Sequence, residues 1–478
     1  MQKKIIRKKM QRKNFQKFCR NVKERRYLLI GTIAIVISFF TYYCFYIFSS
    51  ARNIVFQDHF RYLEIADKVV NGRLDITYLW LSFSGHRSPI NLLTFLLNAK
   101  YFHLNTLMEI YIGAIILTIT SFVLIYYFYK SINFTSIKKI YFIIPIIFII
   151  FSLDQWENIV FSDGARLMLN MLVYILLFIL LNNYLLGRKR KNLVILLSAI
   201  VLTSILIGTG NVLAVNGTII ILVIIDMFIN KNTNYKITIS IIATSFLSVL
   251  LYSIGLRQDS LGLKDQLANI SHHIFYTGKF ITLAFSGMAL GVDYTMINNV
   301  NKVTTGLIGL IIIIFILCIL YIYFKKEMYR KTYIPLALII YSILIIGSIL
   351  LARLNYAQEY GLNYAMSSRY LTSTHYALIG FIWIGLMYID NKKNKKEVIR
   401  KTLIVEAIIL VLLAQILTNY QEWKITKDRK ANFVKLQEIA LSDRRDGIEL
   451  RRFQTNIDWV IKGLEIIKKN NLNVFYKQ

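Results

Sequence analysis

The chain has little of what holds a small secreted domain together or interrupts a helix: three cysteines and three prolines in 478 residues. Cys19 lies in a basic N-terminal segment, and Cys44 and Cys318 lie inside apolar runs. No pair is therefore placed for a disulfide framework, and no thiolate set for a metal. Charge is scarce as well, at 17% Asp, Glu, Lys and Arg against roughly 25% in soluble chains. No internal repeat of fixed length is visible, which weighs against inverted-repeat transporter folds. The apolar runs hold no carboxylate at mid-depth: Glu109, Asp226 and Glu406 each fall within a turn or two of a run's end, where side chains reach the headgroup layer. These absences leave no room for a soluble enzyme, a disordered scaffold or a nucleic-acid-binding domain.

What is present is apolar sequence in blocks. Hydrophobic residues make up 56% of the chain and aromatics 14%. A bilayer core needs about 20 apolar residues per helix. Windows of that size predict eleven spans, at 27–49, 106–129, 140–153, 167–186, 193–209, 212–230, 237–256, 303–324, 332–352, 376–390 and 402–418. Two of these, 140–153 and 376–390, need flanking residues to cross. The expected fold is an all-α integral membrane protein in three parts: a basic N-terminus at 1–26, a polytopic domain at 27–418 and an amphipathic tail at 419–478.

The net charge of +31 is dispersed between the apolar blocks instead of forming one patch. Residues 1–26 carry twelve Lys and Arg against one Glu, which keeps the N-terminus in the cytoplasm. The first apolar block is too long for a signal-peptide core and is expected to stay as an anchor. The loops then predicted on the same side are short and basic: 130–139, 188–191, 231–236, 325–331 and 392–401. Opposite them lie 50–105, 154–166, 257–302, 353–375 and the tail, longer, mixed in charge and rich in His, Asn, Tyr and Trp. The tail's Phe453–Lys469 stretch has helical apolar spacing (Ile457, Val460, Ile461, Leu464, Ile467) suited to packing on that face. The stretches 88–98 and 276–291 are too short to span and fit interfacial or re-entrant helices.

The chemistry-bearing residues collect on the second face. Asp58, just past the first helix in Gln57-Asp58-His59, is placed to act as a general base toward an acceptor hydroxyl. In Gly85-His86-Arg87-Ser88-Pro89, proline opens a helix, and an arginine at a helix start opposes the macrodipole unless it meets an anion. Gln155-Trp156-Glu157-Asn158 is dense in polar groups for a short hairpin. Gly208-Thr209-Gly210-Asn211 is a tight turn whose amides suit an anion. Ser368-Arg369-Tyr370 places a cation between hydroxyl donors at the mouth of a late helix. His272-His273 lacks a spaced partner, so no metal is expected. With Arg87, Arg166, Arg353 and Arg369, this face can stabilise a phosphate leaving group.

In this order the motifs resemble those of bacterial polytopic glycosyltransferases of the GT-C type, and more narrowly a group with an Asp motif, a Gly-His-Arg element, a Gln-Trp-Glu-Asn element and a Ser-Arg-Tyr element. The ending Asn471-Leu472-Asn473-Val474-Phe475 is similar to that group's as well. Two departures stand out: Asp58 is flanked by Gln57 and His59 where the group often carries a second acid, and Ser162-Asp163-Gly164 replaces a Phe-Gln pair. The resemblance implies transfer of a sugar from a polyprenyl-phosphate donor to an extracytoplasmic envelope glycan, teichoic acid or lipid, at the bacterial cytoplasmic membrane and with no cofactor. It implies Asp58 as catalytic base. The resemblance carries over that role alone; from the residues themselves, His86, Arg87 and Arg369 are expected to hold the donor phosphate, and Trp156, Glu157, Asn158, Tyr370 and Glu64 to bind sugar or acceptor. A polysaccharide polymerase or ligase, and a flippase or transporter of a lipid-linked glycan, remain alternatives at this stage.

Overall fold

A computed structural model describes residues 2–73, 75–83, 85–161, 163–230, 234–256, 262–390, 397–442 and 446–476, with side chains from Glu24 onward. Cys19 and parts of the basic loops at 231–236 and 392–401 fall outside the described side chains. The helices in chain order are α1 (Gln2–Ser50), α2 (Leu63–Val70), α3 (Pro89–Tyr101), α4 (Thr106–Ser131), α5 (Ser136–Ile150), α6 (Trp156–Val160) and α7 (Asp163–Gly187). There follow α8 (Arg190–Leu206), α9 (Val212–Ile229), α10 (Tyr235–Ser253), α11 (Leu263–His272), α12 (Ile274–Gly287), α13 (Val292–Ile297) and α14 (Lys302–Lys325). The chain ends with α15 (Ile334–Tyr360), α16 (Ser368–Asp390), α17 (Val398–Lys424), α18 (Thr426–Leu441), α19 (Gly447–Leu450) and α20 (Ile457–Lys469).

The protein is all-α, and ten helical stretches among the described residues are long and apolar enough to cross a membrane. They are Glu24–Ser50 of α1, Ser136–Val160 formed by α5 and α6, and α4, α7, α9, α10, α14, α15, α16 and α17. The eleventh expected span corresponds to α8, whose 17 residues reach about 25 Å at 1.5 Å per residue. Its N-terminal turn is basic, and it packs between α7 and α10. The two short stretches form α3, of 13 residues, and α12, of 14, neither long enough to cross.

The weak span expected at 376–390 belongs to the most enclosed of the ten long apolar stretches among the described residues. α16 starts earlier, at Ser368, and packs against α5, α14, α15 and α17. Its polar opening turns (Thr372, Ser373, Thr374 and His375) are buried by protein and not by lipid, so they lower its hydropathy without opposing its insertion. Deeper in, Trp383 is fully buried and donates from Nε1 to Ser131 Oγ at 2.8 Å.

Two of the three acidic residues expected at helix ends are not headgroup-facing. Glu109 and Asp226 are buried and paired, with Arg166 and Arg188 respectively. A buried charge held by a counter-charge inside a bundle is cheaper than one facing hydrocarbon. Asp154, placed by the sequence in the connecting segment 154–166, is also buried. It accepts from Ser152 Oγ and Gln415 Nε2, both at 2.8 Å, with His375 Nε2 at 3.3 Å.

Polar contacts sort the connections into two ends. Asn133 N donates to Asp390 at 2.6 Å, Arg188 pairs with Asp226, Tyr333 N donates to Asn182 at 2.8 Å and Lys326 pairs with Glu397, so the basic loops meet at one end. At the other end the tail packs on the first long loop. Gln57 N donates to Phe453 O at 3.0 Å, and Asn470 Nδ2 to Asp67 at 2.7 Å. Asn473 accepts from Val55 N at 3.1 Å and donates to Leu104 O at 2.8 Å. The tail helix α20 buries Val460, Leu464 and Ile467, while Ile461 is exposed and the unanticipated Ile466 is buried in its stead.

Candidate active site

The end that carries the tail holds a cavity of about 370 Å³, lined among others by Asp58, His86, Asp163, Arg166, Arg369 and Tyr370. Five separate stretches build it, within 58–62, 81–92, 158–170, 209–211 and 369–370, and local sequence helps to explain how they deliver their side chains. Gly85, at φ +74°, allows the turn in which Phe83 and His86 exchange backbone hydrogen bonds of 2.8 and 2.9 Å. That turn aims His86 into the cavity. Gly210 backs the imidazole: a Cβ there would lie 2.8 Å from His86 Cε1, so the glycine turn acts as a wall against His86. Burial, with the Arg353 charge second, holds the His86 imidazole below its ordinary value and therefore neutral at pH 7.

Asp58 sits on a short 3₁₀ turn, its carboxylate half-exposed and 3.1 Å from Arg61 Nε. It is close enough to His86 and Arg369 for its charge to act on both. A second carboxylate, Asp163, also lines the cavity and is more heavily engaged. It pairs with Arg166 and lies 3.2 Å from His59 Nε2. Arg166 in turn reaches Glu109 at 3.2 Å on α4, giving a series His59–Asp163–Arg166–Glu109 that is buried except at Asp163, which opens to the cavity. Burial and then the Asp163 charge push the neighbouring Tyr62 phenol up, so it stays protonated as a donor.

The Gln-Trp-Glu-Asn and Ser-Arg-Tyr elements are one unit in space. Glu157 accepts from Ser368 Oγ at 2.7 Å, from Ser367 Oγ at 3.2 Å and from Arg369 N at 2.9 Å, so it caps α16 from another helix. Its other oxygen is 3.5 Å from the Arg369 guanidinium. Asn158 Nδ2 donates to Arg369 O and Thr372 Oγ1, both at 2.8 Å, and Thr372 Oγ1 donates to Gln155 at 2.6 Å. Asn158 also lines the cavity, whereas Glu157 works behind Arg369.

Three of the sequence-derived residues lie elsewhere. Arg87 is buried, and its guanidinium donates to the carbonyls of Trp80 at 2.9 Å, Ile254 at 2.9 Å and Tyr252 at 3.4 Å while stacking on the Trp80 ring. Its donors are used to tie the first long loop to the end of α10. Trp156 donates to Asp293 at 2.6 Å and lies under the Arg429 guanidinium at 3.4 Å, in a cluster with Glu422. Glu64 pairs with Lys462 of the tail at 2.7 Å, both exposed. The sequence motifs assign no site role to Asp163, His59, Asn170 or Glu109, and none of its own to Arg166. The signal was available for one of them: Arg166 opposes the macrodipole in the first turn of an apolar helix, with Asp163 three residues before it.

No protein-family model, curated protein or solved structure matches the chain. Among the described residues no group of three or more His, Cys, Asp or Glu is arranged to hold a metal ion.

Proposed function

We propose that this chain is a membrane glycosyltransferase that moves a sugar from a polyprenyl-phosphate donor to an extracytoplasmic envelope glycan, teichoic acid or lipid. The observation that carries the reading is the cavity itself, where the Asp58 and Asp163 carboxylates share a small space with Arg369 and His86. At about 370 Å³ it lies toward the small end of ligand sites, roughly 300–1,000 Å³, which suits a monosaccharide phosphate.

Asp58 is the base, because Asp163 is committed to Arg166 and His59 while Asp58 is half-exposed with one arginine partner. It takes the acceptor hydroxyl proton as that oxygen attacks the anomeric carbon. The bond from that carbon to the phosphate oxygen breaks, and polyprenyl phosphate leaves with the electron pair. Arg369 and the neutral His86 N–H meet the charge that grows on the leaving oxygen. Glu157 and Asn158 hold Arg369 in place, and Tyr370 completes the wall.

The topology that supports this has eleven crossings. The tail packs on loop 50–105, so an even number of spans separates them; nine of the ten long apolar stretches do, and α8 supplies the tenth. The basic loops at the opposite end then face the cytoplasm, and the cavity faces outward.

The test is purified full-length protein in proteoliposomes, supplied with a panel of polyprenyl-phosphate sugars and an envelope glycan fraction. Release of polyprenyl phosphate from one donor, lost in Asp58→Asn, supports the reading. No release from any donor, or equal release by Asp58→Asn, contradicts it. Elongation of the acceptor into a ladder, in place of single additions, would indicate a polymerase.

A further inference from the structure

A second concave site lies at the other end of the protein. α14, α16 and α17 enclose a groove of about 770 Å³, twice the size of the candidate active site, and its walls are almost wholly apolar. Ile314, Phe315, Ile322, Phe381, Leu403 and Leu410 are among them. Much of the α14 and α17 surface beside it is open, including Leu317, Tyr321 and Leu403. In a bilayer such a groove is filled by something with a long apolar body.

Its polar groups are confined and unequal in sign. Lys325, Lys326 and Arg400 line it near the ends of α14 and α17, and Glu406 lines it about two turns deeper. Lys326 is paired with Glu397. Of the other two cations, Lys325 Nζ donates to Tyr321 Oη at 2.8 Å, and Arg400 lines the same groove from α17. Arg400 also sits in the first turn of α17, where the helix dipole disfavours a cation and favours an anion beside it. Two cations and a hydroxyl at the mouth of an apolar groove complement a phosphate headgroup with its chains running inward.

We infer that this groove is a binding site for an anionic glycerophospholipid, with its phosphate at Lys325, Arg400 and Tyr321 and an acyl chain between α14, α16 and α17. The site lies at the opposite end from the cavity containing Asp58, and its occupancy is independent of what that cavity catalyses.

Cys318 lies in the groove and is exposed, which gives a direct readout. Full-length protein carrying Cys19→Ser and Cys44→Ser is labelled at Cys318 with a fluorophore and placed in vesicles of phosphatidylcholine and phosphatidylglycerol in equal parts. In one series only the phosphatidylcholine carries brominated chains, in the other only the phosphatidylglycerol. Quenching by each lipid reports its share of the groove. Preference for phosphatidylglycerol is expected, falling about fivefold for each cation removed in Lys325→Ala and Arg400→Ala and vanishing in the double variant. Quenching by phosphatidylcholine should rise in the variants as its share of the groove grows, which shows that the groove and the fold are intact. Equal quenching of the parent protein by both lipids overturns the inference, as does a preference that survives the double variant. Absence of quenching by either lipid also overturns it, since the groove would then be filled by protein.

Discussion

Glu157 holds Arg369 twice over, accepting from its backbone N–H at 2.9 Å while the other carboxylate oxygen faces its guanidinium at 3.5 Å. A carboxylate on α6 thereby sets both the start of α16 and the direction of its first cation. Glu157 is thus a positioning residue, and its loss should act through Arg369. Glu157→Gln keeps part of the cap and should retain more activity than Glu157→Ala. In the latter, loss of the cap costs about 1 kcal/mol of stability, and transfer falls about 100-fold from misplacement. Donor KM and kcat in both variants check this. A purely structural role would lower stability alone.

Arg166 lies between Glu109 and Asp163, and all three are removed from bulk water to differing degrees. Arg166→Met strands the Glu109 charge in the bundle, so a loss of about 3–5 kcal/mol is expected. Adding Glu109→Gln should recover part of it, because the second change removes the uncompensated charge. Thermal unfolding of the single and double variants in detergent measures the coupling. Simple additivity would show that the pair is not energetically linked.

Arg87→Lys tests the reassignment of that residue to the scaffold. Lysine cannot reach three separate carbonyls, so unfolding temperature should drop while donor KM in the surviving folded protein stays within about twofold. A large rise in KM with unchanged stability would return Arg87 to the phosphate site.

His86 gives a pH dependence whose sign follows from its depressed value. Above the ordinary histidine range the residue is neutral both folded and unfolded, and it contributes no pH dependence. As pH falls below that range, the unfolded chain takes up a proton that the folded cavity resists, so stability is lost until the folded value is passed. Unfolding temperature measured from pH 8 down to pH 5 should fall less steeply in His86→Gln than in the parent. Parallel curves would contradict the placement of His86 in a buried, positively charged setting.

Much of the framework was legible because the bilayer imposes a length and an apolarity that a sequence displays directly. The resulting spans at 106–129, 303–324 and 402–418 differ from α4, α14 and α17 by a few residues. What could not be read was which polar residues face protein. His375 and Thr372 look like the frayed edge of a span but lie in its most buried helix, and Asp154 looks like a loop residue but is enclosed by Ser152, Gln415 and His375. The site was half legible for the same reason. Asp58, His86, Asn158, Arg369 and Tyr370 share one cavity, and their short motifs mark turns and helix starts. Arg87, Trp156 and Glu64 belong to equally polar motifs, yet their partners (Tyr252, Asp293 and Lys462) are far away in sequence.

The most direct test of the central claim is the sugar composition of the cell envelope in a deletion strain carrying either the parent protein or Asp58→Asn at equal levels. Loss of a general base lowers transfer by about 10²–10⁴-fold. The account predicts that one sugar disappears on deletion, returns with the parent protein and stays absent with Asp58→Asn. Full restoration by Asp58→Asn would contradict it, and Asp163 would become the carboxylate to examine.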